Sequence, residues 1–347
     1  MAFQRINKTK RASILAALCE GMAINSVCRI FKTGKPNVLR FIREVGFACE
    51  DYHNRHMRDL AIARLELDEQ WAYVHTHRER MNKAQKDENP GRGDCWLWAS
   101  IDPVSKVIVN WRTGKRTSAC AHSFARDLAA RINGRVQITT DPLKGYKFAV
   151  PSAFGDRVDL ATEGKVFQSS KCPSHEWPRY RVDPLVGVQR EAVCGNPDLS
   201  TATVCHIERY FLTVRQGNKR CARKTLAYSK LWDNHALTAS LHIFVYNFVR
   251  KHEGLDSQTP AVVLGVASKR WTLEDVVEMT DDYLRKQDEL RFEIAFESQF
   301  SEKPRASRTY RPQAPKVPWY LDPESGGPNP IVKKPGIAYD ETQPADE

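Results

Sequence analysis

The stretch "RLELDEQWAYVHTH" (residues 64–77) sets the fold class of this chain. It is rich in β-branched and aromatic residues and therefore predicts a β-strand. Asp68 lies in the middle of this predicted strand, where Asp is normally depleted. A carboxylate at such a position points to a role other than strand formation, and the neighbouring elements indicate which role.

The elements that follow predict an α/β fold with a mixed sheet. Two strands joined by a five-residue turn come first, then a helix, then a short strand that stops at Asp141, before Pro142. This order is typical of a sheet that combines hairpin and crossover connections. The matching sequences are "CWLWASID" (95–102), "KVIVNWRTG" (106–114), "SACAHSFARDLAARI" (118–132) and "RVQITTD" (135–141).

Three carboxylates suggest a metal site in this sheet. If the first and fourth strands are neighbours, as in a ribonuclease-H-like sheet, Asp68 and Asp141 come together. Glu208 belongs to a predicted helix, "TVCHIERYFLTVRQ" (203–216), and points from a mostly apolar face, where an unpaired carboxylate is costly. Three such oxygen donors suit two Mg²⁺ ions, with Mn²⁺ as an alternative. Two ions about 3.5–4 Å apart can activate a water or a 3′-hydroxyl at a phosphodiester.

Other interpretations of these carboxylates stay open. The chain has 42 acidic residues, so some triple can always be chosen. Glu69 should point to the opposite face of the strand from Asp68. Glu208 could instead pair with Arg209 or Arg215, and the adjacent His206 is expected to be a surface or packing residue. Asp102 suits a turn, while Glu163 and Glu191 lie in poorly patterned segments.

Composition favours a polyanionic partner. The 347 residues carry a net charge of +11 and a pI of about 9.2, which favours nucleic acid over a membrane. The nine cysteines include no C-x-x-C pair, so we expect reduced thiols in a cytoplasmic protein associated with DNA. Basic residues interrupt the first segment early, and no apolar run approaches the length of a membrane span.

Two basic regions are candidates for DNA contacts. Residues 8–46 predict two helices, a Gly turn and a third helix, which is the order of a helix-turn-helix, although a plain three-helix packing unit is the alternative. A basic segment follows Glu208, and its alternative is a solvated surface. The candidate DNA-binding residues are Lys35, Asn37, Arg40, Arg43, Arg215, Lys219, Arg220, Arg223 and Lys224.

Five stretches resemble one enzyme family, the transposases of bacterial insertion sequences, specifically the insertion-sequence-one type with its DDE catalytic domain. They are "ELDEQWAYV" (66–74), "WLWASID" (96–102), "ITTD" (138–141), "HIERYFLTVRQGNKRCARKTLAYSK" (206–230) and "YNFVRKHEGLDSQTPA" (246–261). The resemblance covers roughly residues 8–285. It implies that Asp68, Asp141 and Glu208 are the metal-binding catalytic triad. The chain departs from the family in its long spacing from Asp141 to Glu208, its C-terminal tail and the lack of a Cys-rich first module.

The resemblance implies cleavage of double-stranded DNA at transposon ends and transfer of the freed 3′-hydroxyl to target DNA, by a homodimer or larger assembly. The alternatives are a catalytically inactive DNA-binding protein or repressor, and a ribonuclease-H-like nuclease that does not transpose. The expected organisation has four parts: a helix-turn-helix domain (1–50), a ribonuclease-H-like catalytic domain (62–265), a C-terminal helix (266–300) and a disordered tail (301–347).

Overall fold

A six-stranded mixed sheet forms the centre of the molecule, in the strand order β3-β2-β1-β4-β5-β6. The computed structural model describes residues 7–89, 91–168, 184–222 and 225–300. The strands are β1 (Arg64–Val74), β2 (Gly93–Ile101), β3 (Ile108–Gly114), β4 (Val136–Thr140), β5 (Val158–Phe167) and β6 (Leu185–Cys194). β2 and β3 form the predicted hairpin, whereas β4 and β5 run parallel to β1. The arrangement is consistent with a ribonuclease-H-like fold, as the sequence predicted.

Ten α-helices occur in the described part of the chain. They are α1 (Lys8–Cys19), α2 (Ile24–Ile30), α3 (Lys35–His56), α4 (Lys83–Glu88), α5 (Ser118–Ala129), α6 (Lys144–Phe154), α7 (Cys205–Gly217), α8 (Trp232–Phe248), α9 (Pro260–Val263) and α10 (Leu273–Phe300). None of those described is both long and apolar enough to cross a membrane. α5 and α6 cover one face of the sheet, and α7 packs on β1 and β2. Helices therefore pack on the sheet, and most residues of β1 and β4 are buried.

The three N-terminal helices share one core with the sheet. α3 runs to His56, across the domain boundary predicted at residue 50, and packs along α8 and α10. Gly46 makes this close approach feasible, since a Cβ atom there would lie 2.7 Å from the Leu237 Cβ atom. Buried side chains of α1, α2 and α3, including Ile14, Val27 and Phe41, belong to the same apolar cluster as the sheet. A separate all-α helix-turn-helix domain is therefore not shown.

Two more segments differ from the expectation. The four prolines at positions 173, 178, 184 and 197 predict mostly loop over residues 168–200, yet β6 pairs antiparallel with β5 and forms the sheet edge. Edge strands need not bury side chains, so the usual apolar signal is weak there. The C-terminal helix begins at Leu273 rather than residue 266, because Thr272 and Asp275 cap each other's backbone N–H groups. The tail predicted over 301–347 lies outside the described residues.

Candidate active site

Asp68 in the middle of β1 lies beside Asp141, which directly follows the end of β4. β1 and β4 are neighbours, and Leu67 is in register with Thr140. The next residue on each strand is therefore one of the two aspartates. One carboxylate oxygen from each lies within 4.8 Å of the other and of a Glu69 oxygen. The predicted adjacency of the first and fourth strands is thus confirmed.

Glu69 joins this cluster, although the sequence pattern assigned it to the opposite face of β1. Its carboxylate accepts a 3.1 Å hydrogen bond from Nε of Arg116, and the Tyr146 hydroxyl of α6 lies beside it. β4 ends at Thr140, opposite Leu67, so no strand on that side separates the two faces beyond this point. Alternation of Cβ directions holds here, but the long Glu69 side chain still approaches the cluster.

Burial and mutual repulsion make these carboxyl groups poor acids. The pKa of Asp68 is raised to about 8, chiefly by burial and then by the charges of Glu69, Asp141 and Glu208, whereas the Glu69 N–H opposes the rise. The pKa of Glu69 rises to about 7, chiefly through burial and then through Asp141. Burial also raises the pKa of Asp141, against the Leu143 N–H and Arg116. A nearby cation would favour the charged forms of these carboxylates.

Arg116 supplies positive charge at this cluster. Its Nε atom lies 3.1 Å from Glu69, and its Nη2 atom lies 3.2 Å from Asp141. The guanidinium also lies over the Trp96 ring, 4.9 Å from the ring centroid. Arg116 lies in the short turn between β3, which ends at Gly114, and α5, which begins at Ser118, so this turn positions it. Sequence reasoning missed this residue, because nothing in its neighbourhood marks it as a partner of β1 and β4.

Glu208 lines a cleft together with Asp68 and Glu69, but its carboxylate is not one of the three that cluster. Its two carboxylate oxygens lie 2.5 and 2.7 Å from Nζ of Lys165, a residue of β5. The Glu208 side chain is 41% exposed, so it lies at the border of the apolar face of α7 rather than within it. Val204 and Phe211 are buried on that face. The counter-charge of Glu208 in this structure is therefore an ammonium group.

Two buried carboxylates from the sheet position the start of α7. Oε2 of Glu66 accepts hydrogen bonds from the backbone N–H groups of His206 (2.8 Å) and Ile207 (3.0 Å). Oε1 of Glu163 accepts one from the N–H of Val204, at 3.1 Å. These acceptors satisfy donors that a helix N-terminus leaves free. They fix the first turn of α7, and hence the position from which Glu208 enters the cleft. The sequence had offered no pattern around Glu163.

Basic residues line the cleft, but those predicted after Glu208 differ in exposure. Arg215 lines the cleft with Asp68 and Glu208. Lys219 is exposed, whereas the Arg220 guanidinium is directed inward, where Nη1 donates to Ser229 and Nη2 is buried. That placement is at odds with the phosphate contact expected of Arg220. Arg223 and Lys224 lie outside the described residues.

The candidate DNA-contacting residues near the N-terminus lie on α3. Lys35 and Arg40 are exposed, while Asn37 and Arg43 are half-buried. Arg43 lies close enough to Asp233 of α8 to lower the pKa of that carboxyl, against the larger effect of burial. The first half of α3 therefore presents polar side chains to solvent, while the opposite side of the helix contributes to the core.

Comparisons with known proteins identify no family for this chain. No family model matches it, and no curated protein matches it. Among solved structures, it is similar to the piggyBac transposase in a synaptic complex with hairpin DNA, with 10% sequence identity and a TM-score of 0.37. That similarity covers 89% of this chain and 79% of the other. A similarity this low does not establish a function for this chain. The resemblance to the insertion-sequence-one type stays a prediction.

Proposed function

We propose that this protein is a DNA transposase of the DDE type, with Asp68, Asp141 and Glu208 as its catalytic carboxylates. The observation that carries the proposal is the convergence of Asp68 and Asp141 to within 4.8 Å, where the parallel strands β1 and β4 are neighbours, beside a cleft that Asp68 and Glu208 line. Asp68 lies on β1, Asp141 directly follows β4, and Glu208 lies on α7. Such a set is suited to phosphodiester chemistry, because oxygen donors converge on a cleft open to an extended substrate.

The donor set fits a hard divalent cation. All candidate ligands are carboxylate oxygens, which Mg²⁺ and Mn²⁺ prefer. Burial is the main cause of the raised pKa values of Asp68, Glu69 and Asp141, and Arg116 opposes the rise only in part at Glu69 and Asp141. Asp68 and Asp141 would hold the ions, with Glu208 completing the set. When bound, two such ions supply activation of the attacking oxygen and stabilisation of the leaving oxygen.

The proposed reaction has two steps, and both take place at phosphodiester bonds of DNA. In the first step, water attacks a phosphodiester at a transposon end, and the bond to the 3′-oxygen breaks to leave a 3′-hydroxyl. In the second step, that hydroxyl attacks a target phosphodiester, so one ester bond forms as another breaks. Joining two ends requires at least a dimer on the DNA. Arg209 and Arg215, which line the cleft, are suited to holding the phosphate backbone beside the carboxylates.

The basic first half of α3 supplies the second proposed DNA surface. Lys35, Asn37, Arg40 and Arg43 would contact phosphates or base edges at the transposon ends. Lys219, Arg223 and Lys224 would extend the phosphate contacts beyond α7. We do not include Arg220 in this surface, since its guanidinium is directed inward.

One observation favours a second candidate, a DNA-binding protein or repressor without catalysis. Basic side chains already contact the acidic residues, since Lys165 pairs with Glu208, and Arg116 pairs with Asp141 and Glu69. A protein of this kind would bind DNA through the same basic surfaces and would not need a metal. Mg²⁺ binding to the purified protein, measured by calorimetry, therefore separates the two candidates. Binding that disappears in Asp68→Asn favours the transposase.

The decisive experiment is strand cleavage of supercoiled plasmid DNA with Mg²⁺ or Mn²⁺. We expect nicking by the native protein and its loss in Asp68→Asn, Asp141→Asn and Glu208→Gln. The matched control is Glu191→Gln, which removes an exposed acid of β6 outside the cleft. Nicking that survives Glu208→Gln would remove this residue from the proposed triad. Joining of the nicked end to a second DNA then distinguishes a transposase from a simple nuclease.

A further inference from the structure

A second group of metal-ligating side chains lies at the start of α7, apart from the three clustered carboxylates. It consists of Glu66 of β1 and the first two residues of α7, Cys205 and His206. One potential ligand atom from each lies within 4.8 Å of the other two. The group combines a thiol, an imidazole and a carboxylate, which makes its ligand chemistry different from the all-oxygen set around Asp68.

The distances in this group approach those of a tetrahedral zinc site. Bond lengths of about 2.3 Å to sulfur and about 2.0–2.1 Å to nitrogen put these two ligands about 3.5 Å apart in a tetrahedron. Sγ of Cys205 lies 3.5 Å from Nδ1 of His206. The same Nδ1 lies 2.6 Å from Oε1 of Glu66. To bind one ion, Nδ1 of His206 and Oε1 of Glu66 would have to move apart by less than about 1 Å. Bonds to the metal would then replace the hydrogen bond between these two atoms.

The surroundings of Glu66 hold its carboxylate in place for this role. Its side chain is 2% exposed, while its second oxygen, Oε2, is fixed by the backbone N–H groups of His206 and Ile207. Outer hydrogen bonds of this kind orient the ligands of metal sites. Cys205 is exposed at the surface, so an ion could enter from solvent and retain a water as its fourth ligand.

We propose that Glu66, Cys205 and His206 form a site for Zn²⁺ with three protein ligands. Thiolate and imidazole ligands select Zn²⁺ over Mg²⁺, so this site and the carboxylate cluster would hold different ions. Zinc binding would tie the first turn of α7 to β1, two residues before Glu208. The proposal rests on the geometry of these three residues, and it does not depend on whether the chain is a transposase.

Cobalt substitution tests the proposal on the full-length protein after reduction and chelator treatment. Titrated Co²⁺ should give a thiolate-to-metal charge-transfer band and the strong visible bands of a tetrahedral ion, and Zn²⁺ should remove both. Cys205→Ser should abolish the charge-transfer band. His206→Gln should weaken binding by at least about 100-fold, because even loss of an outer partner costs about 10–100-fold.

Two controls separate this site from other thiols and from the carboxylate cluster. Cys28→Ser removes a half-buried thiol of α2, and Asp68→Asn alters the carboxylate cluster; both should keep the charge-transfer band. Thermal unfolding of the metal-free Cys205→Ser protein should match the native protein, since this thiol is exposed. An absent charge-transfer band, or a band that persists in Cys205→Ser, would overturn the proposal. If the native protein showed the charge-transfer band but did not cleave DNA, the zinc site would stand and the proposed function would not.

Discussion

The Nζ atom of Lys165 lies 2.5 Å from Oε1 and 2.7 Å from Oε2 of Glu208, across the cleft between β5 and α7. Both side chains are about 40% exposed, at 40% and 41%. An ion pair with this exposure contributes roughly 0–1 kcal/mol, because water screens it and both side chains lose rotamer freedom. Such a weak pair can hold Glu208 in the cleft but cannot compete with a divalent cation ligated by several carboxylates.

Lys165→Met therefore tests whether this ammonium group competes with metal. We expect the free energy of unfolding to change by less than about 1 kcal/mol. Mg²⁺ affinity, measured by calorimetry, should rise by no more than about fivefold, which corresponds to the same energy. Lys286→Met, an exposed position on α10, serves as the control and should change neither quantity. Weaker Mg²⁺ binding in Lys165→Met would mean that the lysine supports the site rather than occupying it.

The contact between Lys165 and Glu208 also illustrates what the sequence could not reveal. Local patterns place Asp68 on one strand and Asp141 at the end of another, and the strand order of a ribonuclease-H-like sheet then predicts that they are adjacent. Lys165 and Glu208 are 43 positions apart and meet only because β5 and α7 lie on opposite sides of one cleft. No periodicity encodes such a meeting.

Two other side chains extend to positions that the sequence patterns did not indicate, for a related reason. Glu69 was assigned to the far side of β1 by strand alternation, yet β4 ends before this position and leaves the cluster accessible. Arg220 was assigned to a basic surface by its neighbours in sequence, yet its guanidinium is directed toward Ser229. Strand alternation and runs of charged residues indicate the position and direction of each Cα–Cβ bond along the backbone. They do not describe where a long side chain ends.

The different directions of Arg215 and Arg220 predict different effects on DNA binding. Arg215→Gln should weaken binding to non-specific duplex DNA and reduce the slope of log K against log salt by about 1, the value for one lost phosphate contact. Arg220→Gln should leave the slope unchanged, since its guanidinium is directed away from the surface. Fluorescence anisotropy over a salt series measures both slopes. Equal reductions in the two variants would show that Arg220 reaches DNA after all.

Buried histidines predict a loss of stability in acid. Burial, followed by the charge of Arg131, lowers the pKa of His53 to about 3, against the hydrogen bond between Nε2 and the Ile108 carbonyl oxygen. The pKa of His235 is also lowered to about 3, chiefly by burial. The unfolded chain binds these protons near pH 6.5 and the folded chain does not. The contribution of these histidines to stability is therefore complete above about pH 6.5 and falls as pH decreases toward 3.

His53→Gln should make the free energy of unfolding depend less steeply on pH between about pH 3 and pH 6.5. Gln keeps a donor for the Ile108 carbonyl oxygen but does not titrate, so a slope of up to about 1.4 kcal/mol per pH unit is removed. Urea unfolding at a series of pH values between 4 and 7 measures the slope. His122→Gln, at a half-exposed position on α5, is the control and should keep the native slope. An unchanged slope in His53→Gln would assign the acid sensitivity to other groups.

The cap that Glu66 places on α7 predicts a large effect from a single carboxylate. Glu66→Ala leaves two backbone N–H groups, those of His206 and Ile207, without their acceptor at a buried position. The expected cost is about 1–3 kcal/mol in the free energy of unfolding, measured in urea with chelator present so that no metal contributes. Glu66→Gln keeps an acceptor oxygen and should cost less than Glu66→Ala.

Glu208→Gln is the matched comparison for this cap, because Glu208 lies in the first turn of α7 that Glu66 caps. Among the hydrogen bonds of the described residues, the Glu208 carboxylate accepts from Lys165 and from no backbone N–H group. It should change stability by less than about 1 kcal/mol. If Glu66→Ala were as mild as Glu208→Gln, the start of α7 would be fixed mainly by Glu163 and the packing of Val204. A large difference would mean that β1 fixes both sides of the cleft, since it carries Asp68 and also anchors the helix that carries Glu208.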